Sequence, residues 1–198
     1  MRARMALAYA NITIELREIL LSDRPDELYV ASSKGTVPVL QFSDGSVIDE
    51  SFDIMKWCLE QVKTDWLDIN FVDQLSVIKV NDEDFKSWLN KYKYHQRHPE
   101  QSVDFYQEKC VKILLEHEET LSNKLFLFGE KPQVADVAIF PLVRQFAHVD
   151  LSFFTKKLPH LNRWLETWKE SKLFQSIMKK YDKWEPNQTP LIVTFNNE

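Results

Sequence analysis

The pattern of apolar and polar positions changes character about a third of the way along the chain. Before that point the apolar runs are short and of mixed period. Residues 1–10, MRARMALAYA, read as helix, because Ala, Leu, Met and Arg are strong helix formers and nothing interrupts the run. This helix has no capping residue in front of it, and Arg2 and Arg4 stand where the helix dipole favours acids. Residues 12–21 are rich in β-formers and partly alternating, which predicts a strand. A short helix follows, with Pro25 near its first turn. Residues 36–42 predict a second strand with Pro38 inside it, and Asp44-Gly45 between two strand-like runs signals a hairpin. Residues 50–62 then carry Phe52, Met55, Cys58, Leu59 and Val62 on one helical stripe. The expected order is α-β-α-β-β-α. A proline inside a strand marks either an edge position or a special geometry such as a cis X-Pro bond, and the pattern leaves both open for Pro38.

After a short link at residues 65–70 the period becomes helical throughout. Phe85, Trp88, Leu89 and Tyr92 share one face, as do Val103, Tyr106, Cys110, Ile113 and Leu114, and again Leu161, Trp164, Leu165 and Trp168. Residues 134–143 are apolar on nearly every side, so they predict the central buried helix, bent or ended at Pro141. A last short helix is expected over residues 173–181. The change of period predicts two domains, 1–64 and 71–198. Residues 190–197, PLIVTFNN, form the best strand-former of the chain, with no obvious place after the last helix.

Composition narrows the function classes. The 198 residues carry a net charge of -5, with no Lys/Arg block clear of acidic neighbours, so nucleic acid is not the expected ligand. No stretch approaches the roughly 18 apolar residues of a membrane span, and the first ten residues lack the long apolar core of a signal peptide. The expected compartment is the cytoplasm. Two cysteines, Cys58 and Cys110, lie far apart without metal or redox spacing and fall on apolar stripes, which predicts buried core thiols. His95 and His98 have a spacing open to a metal, but without a nearby thiolate or carboxylate partner they read as a solvated pair.

Residues 34–57, KGTVPVLQFSDGSVIDESFDIMKW, resemble the glutathione-binding half of the glutathione S-transferase superfamily, and residues 133–150, QVADVAIFPLVRQFAHVD, resemble the core helix of its C-terminal domain. The two motifs stand in the expected order, and the likeness is greatest to the omega-like and glutaredoxin-like bacterial branch. The resemblance implies an α/β plus all-α fold: a thioredoxin-like N-terminal domain followed by a helical C-terminal one. It implies that the Val37–Pro38 bond is cis and that Val37 offers its N–H and C=O to the cysteinyl part of glutathione. Glu50 and Ser51 match the acidic-Ser pair that holds the γ-glutamyl end, where a carboxylate meets the amino group and a helix N-terminus with a hydroxyl meets the α-carboxylate. Arg24 stands where omega-like members place a basic residue for the glycyl end, with Lys34 as its rival. Asp136 matches the family's capping-box acid, but Gln133 occupies the capping position. Gln caps poorly, which predicts that one of the box's two hydrogen bonds is missing or remade.

The implied activity is thiol transfer, or conjugation of glutathione as a substrate to a small hydrophobic electrophile or disulfide, in a homodimer. The second substrate is expected between the domains near Trp88, Tyr92, Tyr94, His95 and Arg97, residues that helix periodicity equally assigns to core. In the resembling proteins a strand and a loop with the catalytic cysteine, serine or tyrosine precede the helix that "MRARMAL" matches, so no catalytic residue is assigned here. Two readings follow: the native protein carries further residues before Met1, or residues 191–195 complete the sheet in their own or a neighbouring subunit. The alternative function is a non-catalytic interaction or regulatory protein on the same fold.

Overall fold

The structure, a computed structural model, describes residues 1–67 and 70–195; residues 68 and 69 of the expected link and residues 196 and 197 of the expected terminal strand lie outside it. In chain order the elements are α1 (Arg2–Tyr9), β1 (Thr13–Glu15), α2 (Asp26–Ala31), β2 (Leu40–Gln41), β3 (Val47–Ile48), α3 (Ser51–Glu60), α4 (Phe71–Val80), α5 (Lys86–Lys93), α6 (Val103–Leu121), α7 (Val134–Ala147), α8 (Leu151–Lys157), α9 (Pro159–Glu170), α10 (Lys172–Ser176) and β4 (Ile192–Thr194). A five-residue π-helical stretch, Asn81–Phe85, joins α4 to α5. They form two compact units. The first comprises Met1–Lys63 with the segment from Ser171 onward, the second Thr64–Glu170.

The first unit has the α-β-α-β-β-α order read from the sequence, with shorter strands. α1 packs on α3, burying Ala3, Met5, Ala6 and Leu7 on one helix and Ile54, Met55, Cys58 and Leu59 on the other. Arg4 of α1 is explained by tertiary partners rather than by the helix dipole. Arg4 bonds to Glu18, and its guanidinium lies 5.8 Å from the Tyr181 ring centre and 5.5 Å from that of Phe195. β2 starts two residues after Pro38 and pairs antiparallel with β3, Leu40 opposite Ile48 and Gln41 opposite Val47. Their turn is closed by Asp44, whose Oδ1 accepts from Ser46 N–H at 2.9 Å, while Gly45 takes a φ of +87°.

The end of the chain corrects the expected domain boundary. Placed with the helical domain on sequence, residues 171–195 pack instead on the first unit. α10 lies against α1, Trp184 N–H donates to Glu18 O at 2.7 Å, and Lys183 pairs with Asp23 at 2.7 Å. β4 runs antiparallel to β1, with Thr13 opposite Thr194, Ile14 opposite Val193 and Glu15 opposite Ile192. The terminal strand is therefore paired within its own chain. β1–β4 and β2–β3 are two separate ladders. Apolar burial drives the arrangement, since Trp184, Val193 and Phe195 are all buried.

The second unit is built around α7, whose residues 134–140 are all buried. Pro141 does not end this helix, which runs on to Ala147. Its N-terminus bears out the expectation from Gln133: Gln133 N–H donates to Asp136 Oδ2 at 3.0 Å, whereas the return bond is remade, Asp136 N–H donating to Gln133 O at 3.1 Å while Gln133 Oε1 accepts from Gln74 Nε2 at 3.3 Å. Two further N–H groups are taken by other segments, Val134 by Trp66 O at 3.3 Å and Ala135 by Gln74 Oε1 at 3.0 Å. Among the described residues no single helix is long and apolar enough to cross a membrane.

Candidate functional site

The residues of interest in the first unit meet where the loop after α2 passes the start of α3. α2 ends at Ser32, which is buried and extended, and Gly35 N–H turns back to Ser32 O at 3.0 Å. Gly35 has a φ of +58°, and a Cβ there would lie 2.3 Å from the Tyr29 ring. Only glycine allows both the left-handed backbone and this approach. The turn fixes the backbone on either side of it and brings Lys34 to two consecutive acids.

Lys34 Nζ donates to Asp49 Oδ1 at 3.0 Å and to Glu50 Oε1 at 2.6 Å, while Ser32 Oγ donates to Asp49 Oδ2 at 2.6 Å. The Ser32 hydroxyl and then Lys34 hold the Asp49 carboxyl below the usual range, and the bonds to Glu50 and Asp49 raise the Lys34 ammonium above its own. At neutral pH the Asp49 carboxylate and the Lys34 ammonium thus both carry charge. Glu50 is the N-cap of α3, with extended backbone, and its C=O accepts Ile54 N–H at 3.0 Å. No side chain caps the first N–H groups of α3, and Ser51 opens the helix. These groups carry the partial positive charge of the dipole.

Val37 lies in the same loop, half exposed, and the Val37–Pro38 peptide bond is cis. Among the described residues nothing hydrogen-bonds to its N–H or C=O. Arg24 stands exposed at the head of α2, and no hydrogen bond or ion pair joins it to the cluster among the described residues. The structure thus brings Lys34 and Glu50 together, sets Ser51 beside Glu50, keeps Val37 in the loop that carries Lys34, and leaves Arg24 apart. Sequence reasoning missed Ser32 and Asp49. The run Asp49-Glu50-Ser51 was the available signal for Asp49, whereas Ser32 is legible only once the loop is folded.

Neither cysteine belongs to this site. Cys58 and Cys110 are buried, and burial pushes each thiol up to about 12, so neither is a thiolate at neutral pH. In the second unit the residues expected beside a second substrate divide between core and surface. Tyr92 is buried, its ring 5.4 Å from that of Phe146 and its hydroxyl accepting from Gln107 Nε2 at 2.7 Å. Trp88 is half buried against Phe105 and Tyr106. Tyr94, His95 and Arg97 are exposed, the Arg97 guanidinium 5.0 Å from the Tyr94 ring centre. His98 lies 3.3 Å from Glu100.

Residues 1–61 match the family described as the N-terminal domain of glutathione S-transferase, and residues 100–167 match that of its C-terminal domain, together more than half of the chain. No curated protein matches the sequence significantly. Among solved structures the chain is similar to glutathione S-transferase-I bound with lactoylglutathione, at 21% identity and a TM-score of 0.72, covering 88% of this chain and 90% of that one. It is similar to BphK, a bacterial glutathione S-transferase, at 19% identity and a TM-score of 0.72, with coverage of 88% and 90%. A glutathione S-transferase from Xanthobacter autotrophicus Py2 follows at 18% identity and a TM-score of 0.68, with coverage of 86% and 87%. Identities this low speak for the fold, and the two family matches speak for descent. The chain, with its thioredoxin-like first unit and helical second unit, belongs to the glutathione S-transferase superfamily.

Proposed function

We propose that this chain binds glutathione on its first unit and serves glutathione conjugation. The observation that carries the reading is the pairing of two complementary ends. Glu50 offers a carboxylate beside Ser51 and the uncapped N–H groups of α3, while Val37 offers an N–H and a C=O that no described residue uses. An amino acid zwitterion fits the first end, its ammonium on Glu50 and its carboxylate at the helix terminus. An extended peptide fits the second, as one rung of antiparallel ladder. A γ-glutamyl peptide has both. Arg24, exposed and outside the cluster, is the candidate for the glycyl carboxylate. The similar glutathione S-transferase-I holds lactoylglutathione, a ligand of the same chemical class.

Cys58 and Cys110, buried and protonated, take no part in this reading. The protein's part is to bind and orient the peptide so that its thiol meets a small electrophile. A homodimer is the expected assembly. Calorimetric titration with reduced glutathione tests the reading. Saturable binding is expected, together with a rise in melting temperature and a loss of about tenfold in affinity for Glu50→Gln, the cost of a charge-assisted hydrogen bond. The absence of both heat and thermal shift in the unaltered protein removes the proposal.

A further inference from the structure

The Glu50 carboxylate, which the proposed function assigns to the ligand's amino group, already faces an ammonium in the free chain. Lys34 Nζ stands 2.6 Å from Glu50 Oε1 and 3.0 Å from Asp49 Oδ1. We propose that Lys34 is an internal occupant of the Glu50 carboxylate, displaced by the ligand's primary ammonium and retained by Asp49. The inference rests on the glutathione reading and adds to it how the site is held before the ligand arrives.

Three features support the exchange. The first is charge. Asp49, Glu50 and Lys34 make two negative charges and one positive, so the cluster is one cation short, and an ammonium ligand completes it with Lys34 on Asp49 and the ligand on Glu50. The second is the alternative seat. Asp49 is fixed by the Ser32 hydroxyl at 2.6 Å, so Lys34 gives up one of its two carboxylates and keeps the other. The third is cost. Side-chain exposure is 48% for Lys34 and 61% for Glu50, and ion pairs this open to water are weak and screened by salt. The Gly35 turn against Tyr29 holds the backbone, so the exchange needs only side-chain rotation. The arrangement favours ligands with a free primary ammonium. A ligand whose amino group is acylated cannot replace Lys34 on Glu50.

Calorimetric titration of the unaltered protein, Lys34→Met and Lys34→Gln with glutathione and with N-acetylglutathione, at low and at high salt, tests this. Removing the competitor is expected to tighten glutathione binding about two- to fivefold at low salt, the range that an exposed ion pair supplies. The gain is expected to shrink at high salt, and N-acetylglutathione to bind at least tenfold more weakly to all three proteins. If glutathione binds the unaltered protein and both variants bind it equally or more weakly, the exchange is wrong; weaker binding makes Lys34 a direct contact for a ligand carboxylate. If none of the three binds glutathione, the glutathione reading fails and the exchange fails with it.

Discussion

Asp136 shows how a single residue can be read from the sequence in identity and missed in environment. As the acid of a capping box it was expected at the start of α7. What the sequence did not contain was the full set of partners, three donors on one carboxylate: Leu127 N–H at 3.0 Å, Gln133 N–H at 3.0 Å and Trp164 Nε1 at 2.9 Å. Desolvation outweighs these bonds and pushes the carboxyl from 3.8 up to about 6. Between those values the folded chain binds more protons than the unfolded chain. The contribution is therefore complete below pH 3.8 and is lost as the pH rises through 6. Relative to Asp136→Asn, which does not titrate, the unaltered protein is expected to lose about 3 kcal/mol of stability between pH 4 and 7. Denaturant unfolding of both proteins across that range measures it, and parallel pH profiles would refute the shift. The same limit applies at the candidate site. Val37, Glu50 and Ser51 are legible through a local motif, but the contacts of Ser32 and Asp49 depend on how a loop turns.

Among the elements, helices with local start signals agree with their sequence, and those closed from elsewhere do not reveal it. α6 and α8 begin on Ser102 and Asp150, each accepting from the N–H three residues on, at 3.1 and 2.9 Å. α9 announces itself through Pro159 in its first turn, yet its cap comes from α6. Glu118 Oε1 accepts His160 N–H at 3.0 Å and Oε2 accepts Leu161 N–H at 2.7 Å, contacts more than forty residues apart in sequence. A charged acceptor at a helix N-terminus also meets the dipole. Glu118→Ala leaves two N–H groups short of partners and is expected to cost about 1 to 3 kcal/mol. Glu118→Gln is expected to recover part of that loss. A melting temperature for Glu118→Ala equal to that of the unaltered protein would remove Glu118 from the account of α9. The strands were legible in place but not in extent, because β-propensity over residues 12–21 cannot say where a partner ends. Past Glu15, one further bond, from Leu16 N–H to Leu191 O at 2.8 Å, closes the pairing.

At the scale of the whole molecule, the change of hydrophobic period marks the first unit's boundary, and the destination of the chain end is what the sequence withheld. Residues 191–195 advertise a strand, but propensity does not choose between an internal partner and another subunit. Pairing with β1 makes the end of the chain part of the first unit's core. Val193→Asp, which puts a charge at a buried position, is expected to destabilise the first unit by about 3 kcal/mol or more. Unfolding followed by near-ultraviolet circular dichroism and by tryptophan fluorescence checks it, and an unaltered midpoint would mean that β4 is dispensable. The central claim concerns glutathione on that same unit, and the most direct test is residue-by-residue mapping of amide chemical shifts as glutathione is added. The account predicts saturable shifts at Val37 and Ser51 and in the first turn of α3. Shifts that leave these amides unmoved, or no saturable shifts at millimolar glutathione, would contradict it.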